Sequence, residues 1–242
     1  MNERSNDGFF DPFERIRIIN LVDRADRRDE MRFQLDKLGA WSGDIDFFEA
    51  TRPADPGPFP SLGARGCFES HLSVLRAARD SGVGSLLILE DDFDFSRDGR
   101  NRSTAIFKDL MQKDWDVFHG AHVLSDDGRS GLTALSSDEP VLTASFIGFN
   151  GSTIPAVVEF LDTLLTRPAG SPEYGPMHVD GAYTVFRATH PQVRSFAGFP
   201  TLGRQRSSRS DITPVGMILD RWSATRPIAD ILRKVRNQLA RR

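Results

Sequence analysis

Apolar and polar positions along this chain follow two periods in turn, and the switches between them mark strands followed by helices. Ile16-Arg17-Ile18-Ile19-Asn20-Leu21 is short, β-branched and apolar, the pattern of a buried strand. After Asp23-Arg24-Ala25-Asp26-Arg27-Arg28, Met31, Leu35 and Leu38 recur at helical spacing until Gly39 stops the helix. Ile45 to Ala50 reads as a second strand. Pro53 to Pro60 is a loop, because proline brings no N–H to a ladder or a helix interior. From about Ala64 to Asp80 a helix carries Cys67, His71, Val74, Leu75 and Ala78 on one face, and Ser81-Gly82-Val83-Gly84 breaks it. Leu86-Leu87-Ile88-Leu89 is the clearest buried strand, and it runs directly into Glu90-Asp91-Asp92.

Beyond it the pattern predicts a helix near Thr104 to Gln112, a strand from Asp116 to His119, and a glycine- and serine-rich loop to Ser137. Val141 to Phe149 reads as a strand and Thr153 to Thr166 as a helix. Pro168 to Pro176 is a loop leading to His178-Val179-Asp180 and a short helix. Strands alternating with helices imply an α/β fold with a single Rossmann-like, mostly parallel sheet covered by helices on both faces. We expect one domain over residues 15–215, between a flexible leader (1–14) and a basic amphipathic tail (216–242).

Composition narrows the chemistry. The 242 residues carry a formal net charge of -3, without the basic excess usual in a polyanion binder, so no nucleic-acid partner is expected. The single cysteine, Cys67, excludes an intrachain disulfide and a thiolate metal cage, and it fits a reducing compartment. The first residues lack an apolar signal core, and no run approaches the roughly 18 apolar residues needed to span a bilayer. The expected location is cytoplasmic, with peripheral membrane contact as an option. From Thr225 to Arg242, Ile228, Ile231, Leu232, Val235 and Leu239 share one helical face, with basic residues around the rest. Such a helix lies on an anionic membrane or docks on its own domain by the apolar stripe.

Acidic residues just past an apolar strand sit where α/β sheets place their ligands. In an extended chain Glu90 and Asp92 share a face, as do Asp92 and Asp94. Carboxylates converging there repel one another unless a proton or a cation relieves them. Hard oxygen ligands suit Mg2+ or Mn2+, whose shell substrate phosphates complete. A solvated acidic turn and a phosphoacceptor pocket are the competing readings. The second of these usually needs an acidic residue after the first strand, where this chain has Asn20-Leu21-Val22.

Five blocks in order resemble glycosyltransferase family 25, the lipopolysaccharide and collagen galactosyltransferase group. They are Ile19-Asn20-Leu21 with Arg24, Asp26-Arg27-Arg28 and Met31; Gly63-Ala64-Arg65-Gly66-Cys67 with Ser70-His71-Leu72; Leu87-Ile88-Leu89-Glu90-Asp91-Asp92; His178-Val179-Asp180; and Pro200-Thr201-Leu202 with Gln205 and Ser210-Asp211-Ile212. Gly63-Ala64-Arg65 and Ser145 to Asn150 depart from the family pattern. The resemblance implies a GT-A-type nucleotide-sugar-binding fold, with galactosyl transfer from UDP-galactose and inversion at the anomeric carbon. The acceptor would be a glycan or glycolipid of the lipopolysaccharide or surface-polysaccharide kind. A catalytically inactive, carbohydrate- or partner-binding member is the alternative, and a phosphoryl-transfer domain is a third.

Under the leading reading Asp92 ligates the metal, joined by Glu90 or, in the other register, by Asp94. Glu90 and Asp91 contact the ribose or coordinate through water, and Asn20 and Leu21 lie under the nucleobase. Arg24, Arg27 and Arg28 meet the diphosphate, unless Arg27 and Arg28 merely pair with acidic neighbours on a surface helix. Gln205, Ser210 and Asp211 close over the donor, with Arg204, Arg206 and Arg209 as further phosphate contacts. Asp180 is the candidate base for the acceptor hydroxyl, or a helix N-cap. His71 reads as a core histidine with its ring hydrogen-bonded, or as a catalytic residue, and Cys67 as a small buried hydrophobe rather than a nucleophile.

Overall fold

A computed structural model describes residues 9–40 and 44–206. The first half contains β1 (Arg15–Asn20), α1 (Ala25–Lys37), β2 (Ile45–Glu49), α2 (Leu62–Ser81), β3 (Ser85–Glu90), β4 (Phe93–Phe95) and α3 (Gly99–Leu110). The second half contains β5 (Val117–His119), β6 (Gly131–Leu135), β7 (Phe146–Asn150), α4 (Ile154–Leu165), α5 (Val179–Thr189), β8 (Ser195–Phe199) and β9 (Gly203–Gln205). Seven strands make one sheet in the order β2-β1-β3-β7-β5-β8-β6, while β4 and β9 form a separate ribbon. The strands β2, β1, β3, β5 and β8 run one way, and β7 and β6 run against them. The expected α/β fold with a mostly parallel sheet is therefore present, with one reversed strand in its middle.

Helices cover both faces, and strand alternation decides which residue serves which face. Leu86 and Ile88 join the core beneath α2, α4 and α5, whereas Leu87 and Leu89 join the core beneath α1 and α3. The α2 helix starts where Ser61 Oγ accepts the Ala64 amide at 3.1 Å and stops at Gly82, whose φ of 65° suits a glycine C-cap. By contrast α1 buries only Met31 and Leu35, so apolar packing alone holds it weakly.

The segment Val141 to Phe149 enters the ladder only at Phe146. Its first residues give their backbone groups to α5: Thr184 Oγ1 donates to Val141 O at 2.9 Å, and Thr143 N donates to Asp180 Oδ2 at 3.1 Å. The expected glycine-rich loop contains β6, an edge strand paired only with β8, whose half-exposed side chains leave no apolar run to read. Beside it the fully buried Arg187 ties α5 to the Ser136 and Glu139 carbonyls and to Ser195 Oγ.

Within the N-terminal segment, residues 9–14 lie against the domain. Phe10 and Phe13 are each 5% exposed and lie in an aromatic cluster with Phe107, Phe118 and Phe146. A Cβ on Gly148 would come within 2.4 Å of the Phe13 ring, so the sheet is shaped to admit that ring. The tail (216–242) lies outside the described residues. Among those that are described, no helix is long and apolar enough to cross a membrane.

Phe13→Ala should lower unfolding stability by about 3–5 kcal/mol, the usual cost of emptying an aromatic core position. Urea denaturation measures it; an unchanged midpoint would mean that residues 9–14 contribute nothing to the core.

Candidate functional site

The alternation that sorts the core of β3 also sorts the three carboxylates that follow. Asp91 falls on the α1 side and is 5% exposed. Its Oδ2 accepts from Asn20 Nδ2 at 2.7 Å and its Oδ1 from Arg27 Nη1 at 3.0 Å. Asn20 Oδ1 in turn accepts from Arg28 Nε at 3.1 Å and Nη2 at 2.9 Å. Burial pushes the Asp91 carboxyl up, and Asn20 and Arg27 pull it back. Both Asp91 oxygens are thus committed within the protein. Arg24 instead makes a bidentate pair with Asp26, at 2.8 and 2.7 Å, which holds the Asp26 carboxyl well below the usual range.

Glu90 faces the other way, toward α2 and α5. Its Oε1 lies 3.2 Å from Cys67 Sγ and 3.4 Å from His71 Nε2, while His71 Nδ1 lies 3.1 Å from the Tyr183 hydroxyl. Its Oε2 accepts from Gln205 Nε2 at 3.2 Å, and the same amide reaches Asp92 Oδ2 at 3.2 Å. Glu90 and Asp92 therefore converge as the strand period predicts. The Asp92 side chain is 13% exposed, and its Oδ1 is buried with no hydrogen-bond partner among the described residues. Arg27 Nη1 stands 3.8 Å from Asp92 Oδ2. Burial first, and the Glu90 charge second, push the Asp92 carboxyl up to about 7, against the pull of Gln205 and Arg27.

Gln205 arrives by way of β9, whose register on β4 sets Gln205 opposite Phe93. A Cβ on Gly203 would lie 2.1 Å from Asp94 O, so the two strands close only around a glycine there. Next along the chain, Arg206 donates its backbone N–H to Asp92 O at 2.7 Å and its Nη2 to Asp91 O at 3.0 Å. Asp94 is engaged on the α1 side, by Gln34 Nε2 at 3.1 Å and Arg206 Nε at 3.1 Å. It does not share the Gln205 amide that joins Glu90 to Asp92.

Asp180 lies in the first turn of α5, whose N-cap is His178. Its oxygens accept the amides of Thr143 at 3.1 Å and Gly181 at 2.8 Å. Two residues beyond Thr143, Ser145 O accepts the Glu90 amide at 3.0 Å, so one short segment links Asp180 to Glu90. Burial pushes the Cys67 thiol far up, and the charges of Glu90, Asp180 and Asp92 add to the effect. Thr143 Oγ1 and Ser145 Oγ are buried without partners among the described residues.

Leu21 is partly buried in the turn after β1, and its carbonyl accepts the Arg24 amide at 2.9 Å. Ser210, Asp211 and Arg209 lie outside the described residues. Tyr183, Thr143, Ser145 and Gln34 went unnoticed in the sequence. Only Tyr183 carried a signal, lying three positions after Asp180 on a helix.

A cavity of about 380 Å3 opens beside Asn20, lined by Val22, Arg28, Arg32, Phe47 and Glu49 among others. The Arg28 and Arg32 guanidinium carbons lie 5.6 and 5.3 Å from the Phe47 ring centre. A cavity of about 440 Å3 at the opposite end of β3, around Gly82 to Gly84, holds none of the carboxylates. The first cavity is not lined by Glu90, Asp91 or Asp92 either, and it meets the carboxylates only through Asn20, whose amide bonds Asp91. Glu90 and Asp92 offer hard oxygen donors, and an orphaned buried carboxylate oxygen between like charges fits a divalent cation of the Mg2+ or Mn2+ type.

Because the Asp92 carboxyl is raised, the folded protein holds a proton there that the unfolded chain releases near pH 4. Its contribution is most favourable below that pH and declines as pH rises towards 7. Asp92→Asn should therefore be more stable than the parent at pH 8, by an amount on the order of 2–4 kcal/mol, with the gap closing near pH 4. Urea unfolding at the two pH values tests this, and a gap independent of pH would contradict it.

No protein-family model matches the chain, and no curated protein matches it. The chain is similar to a solved structure described as "crystal structure of a glycosyltransferase involved in the glycosylation of the major capsid of PBCV-1", at 13% identity and a TM-score of 0.36, over 77% of this chain and 94% of that one. At that level of superposition, neither residues nor activity transfer from one chain to the other.

Proposed function

We propose that this protein is a metal-dependent glycosyltransferase that moves a hexose from a nucleotide sugar to a glycan or glycolipid acceptor. The observation that carries this reading is the convergence of Glu90 and Asp92 at the end of β3, with Asp92 Oδ1 buried and unpartnered. The ordered blocks shared with glycosyltransferase family 25 agree with it. They favour UDP-galactose as donor, inversion at the anomeric carbon, a GT-A-type fold, and a role in lipopolysaccharide or surface-polysaccharide synthesis.

In this reading Asp92 and Glu90 hold Mn2+ or Mg2+, which when bound neutralises charge on the departing diphosphate. Arg27, already turned toward the carboxylates, and Arg206 contribute positive charge at the same place. Asp91 with Asn20 fixes Arg27 rather than touching the sugar nucleotide. The cavity beside Asn20 takes the nucleobase, stacked among Phe47, Arg28 and Arg32. The acceptor hydroxyl oxygen attacks the anomeric carbon from the face opposite the diphosphate. The bond from that carbon to the diphosphate oxygen breaks, and the hydroxyl proton passes to Asp180. Two backbone amides orient the Asp180 carboxylate, and its remaining lone pairs can accept the proton.

Incubation with a panel of nucleotide sugars should release free nucleotide only with Mn2+ or Mg2+ present. Asp92→Ala should lower turnover by about 10²–10³-fold or more and abolish the metal-dependent thermal shift with UDP. Asp180→Asn should reduce transfer by about 10²–10⁴-fold yet leave that shift in place. A fully active Asp92→Ala enzyme would refute the assignment.

A further inference from the structure

Cys67, His71 and Glu90 form a second cluster, gathered around the Glu90 oxygen that does not meet Gln205. The single cysteine forbids a cage of thiolates but leaves open a mixed set of ligands. Cys67 Sγ, His71 Nε2 and Glu90 Oε1 all lie within 4.8 Å of one another. Two of these separations are 3.2 Å, sulfur to carboxylate oxygen, and 3.4 Å, imidazole nitrogen to the same oxygen. Around a tetrahedral zinc ion, with bonds of about 2.0–2.1 Å to nitrogen or oxygen and about 2.3 Å to sulfur, neighbouring atoms stand about 3.3–3.4 Å apart for nitrogen with oxygen and about 3.5–3.6 Å for sulfur with oxygen. The protein already holds two edges of that shell at close to the required length.

The remaining features agree. Residues 67 and 71 are one helical turn apart on α2, so both side chains reach Glu90 from one rigid element. His71 is 0% exposed, and the Tyr183 hydroxyl fixes its ring from the far nitrogen, the outer contact that orients metal-binding histidines. Sulfur with imidazole selects zinc-class ions over magnesium or manganese, which prefer all-oxygen shells.

We propose that Cys67, His71 and Glu90 bind a zinc-class divalent ion. On binding, the thiol proton leaves to solvent and sulfur takes the metal. His71 coordinates through Nε2 and carries its ring proton on Nδ1, donated to the Tyr183 oxygen. Glu90 contributes Oε1 and keeps Oε2 toward Gln205. The site does not depend on the transferase reading, because its test reads the metal's spectrum and not turnover.

Reduced protein, cleared of metal by a chelator, is titrated with Co2+ under anaerobic conditions. We expect one equivalent to produce a thiolate-to-cobalt charge-transfer band together with four-coordinate ligand-field bands. One equivalent of Zn2+ should erase them, and a large excess of Mg2+ should not. Cys67→Ser should lose the charge-transfer band, and His71→Gln should weaken cobalt binding at least tenfold while circular dichroism shows an intact fold. If His71→Gln does not fold, Glu90→Gln serves with the same readout. No charge-transfer band in the parent protein, or cobalt affinity unchanged in the folded variant, would overturn the proposal.

Discussion

A strand can give consecutive side chains to only one face each, and the site is built on that constraint. Along Glu90-Asp91-Asp92 it separates a carboxylate turned to α1 from two that meet at the Gln205 amide. Asp91 turns to α1, where an amide and a guanidinium satisfy it. Glu90 and Asp92 turn away and share a single neutral amide, that of Gln205. Three neighbours of the same charge thereby divide into one group that fixes structure and two left with electrostatic demand. Leaving all three unsatisfied would have cost the strand end its stability.

That division also explains how α1 stays in place. With only Met31 and Leu35 buried, its packing is thin, and the Arg27 and Arg28 contacts to Asp91 and Asn20 fasten its first turns to the ends of β3 and β1. The charges that look like a solvated helix face are therefore internal fasteners. The opposite layer is different in kind: α2, α4 and α5 bury continuous apolar stripes.

The legible parts of the sequence were those whose physics is local. β1, α1, β2, α2, β3, α4 and the helix after His178 follow from apolar period and from the glycines and prolines that punctuate it. The Glu90–Asp92 pairing follows from the strand period alone. What stayed hidden depends on distant partners. β8 joins strands far from it in the chain, and β6 is a half-exposed edge. β9 exists only because Gly203 lets it approach β4. Thr143 and Ser145 read as ordinary strand residues, yet Thr143 gives its amide to Asp180 on α5 and the Ser145 carbonyl accepts the Glu90 amide. Phe10 and Phe13 read as a polar leader because charged residues surround them, although the rings fill a notch opposite Gly148.

The β4–β9 ribbon determines where this domain ends in a chemical sense. The main sheet is complete at Phe199, and a boundary drawn from sheet architecture would fall there. Yet the amide that bridges Glu90 and Asp92, and the backbone N–H that caps the Asp92 carbonyl, come from residues 205 and 206. A chain cut after β8 would retain every strand of the sheet and still leave both carboxylates without the crosspiece that sets their spacing. For this protein, the smallest piece that preserves the architecture is shorter than the smallest piece that preserves the site.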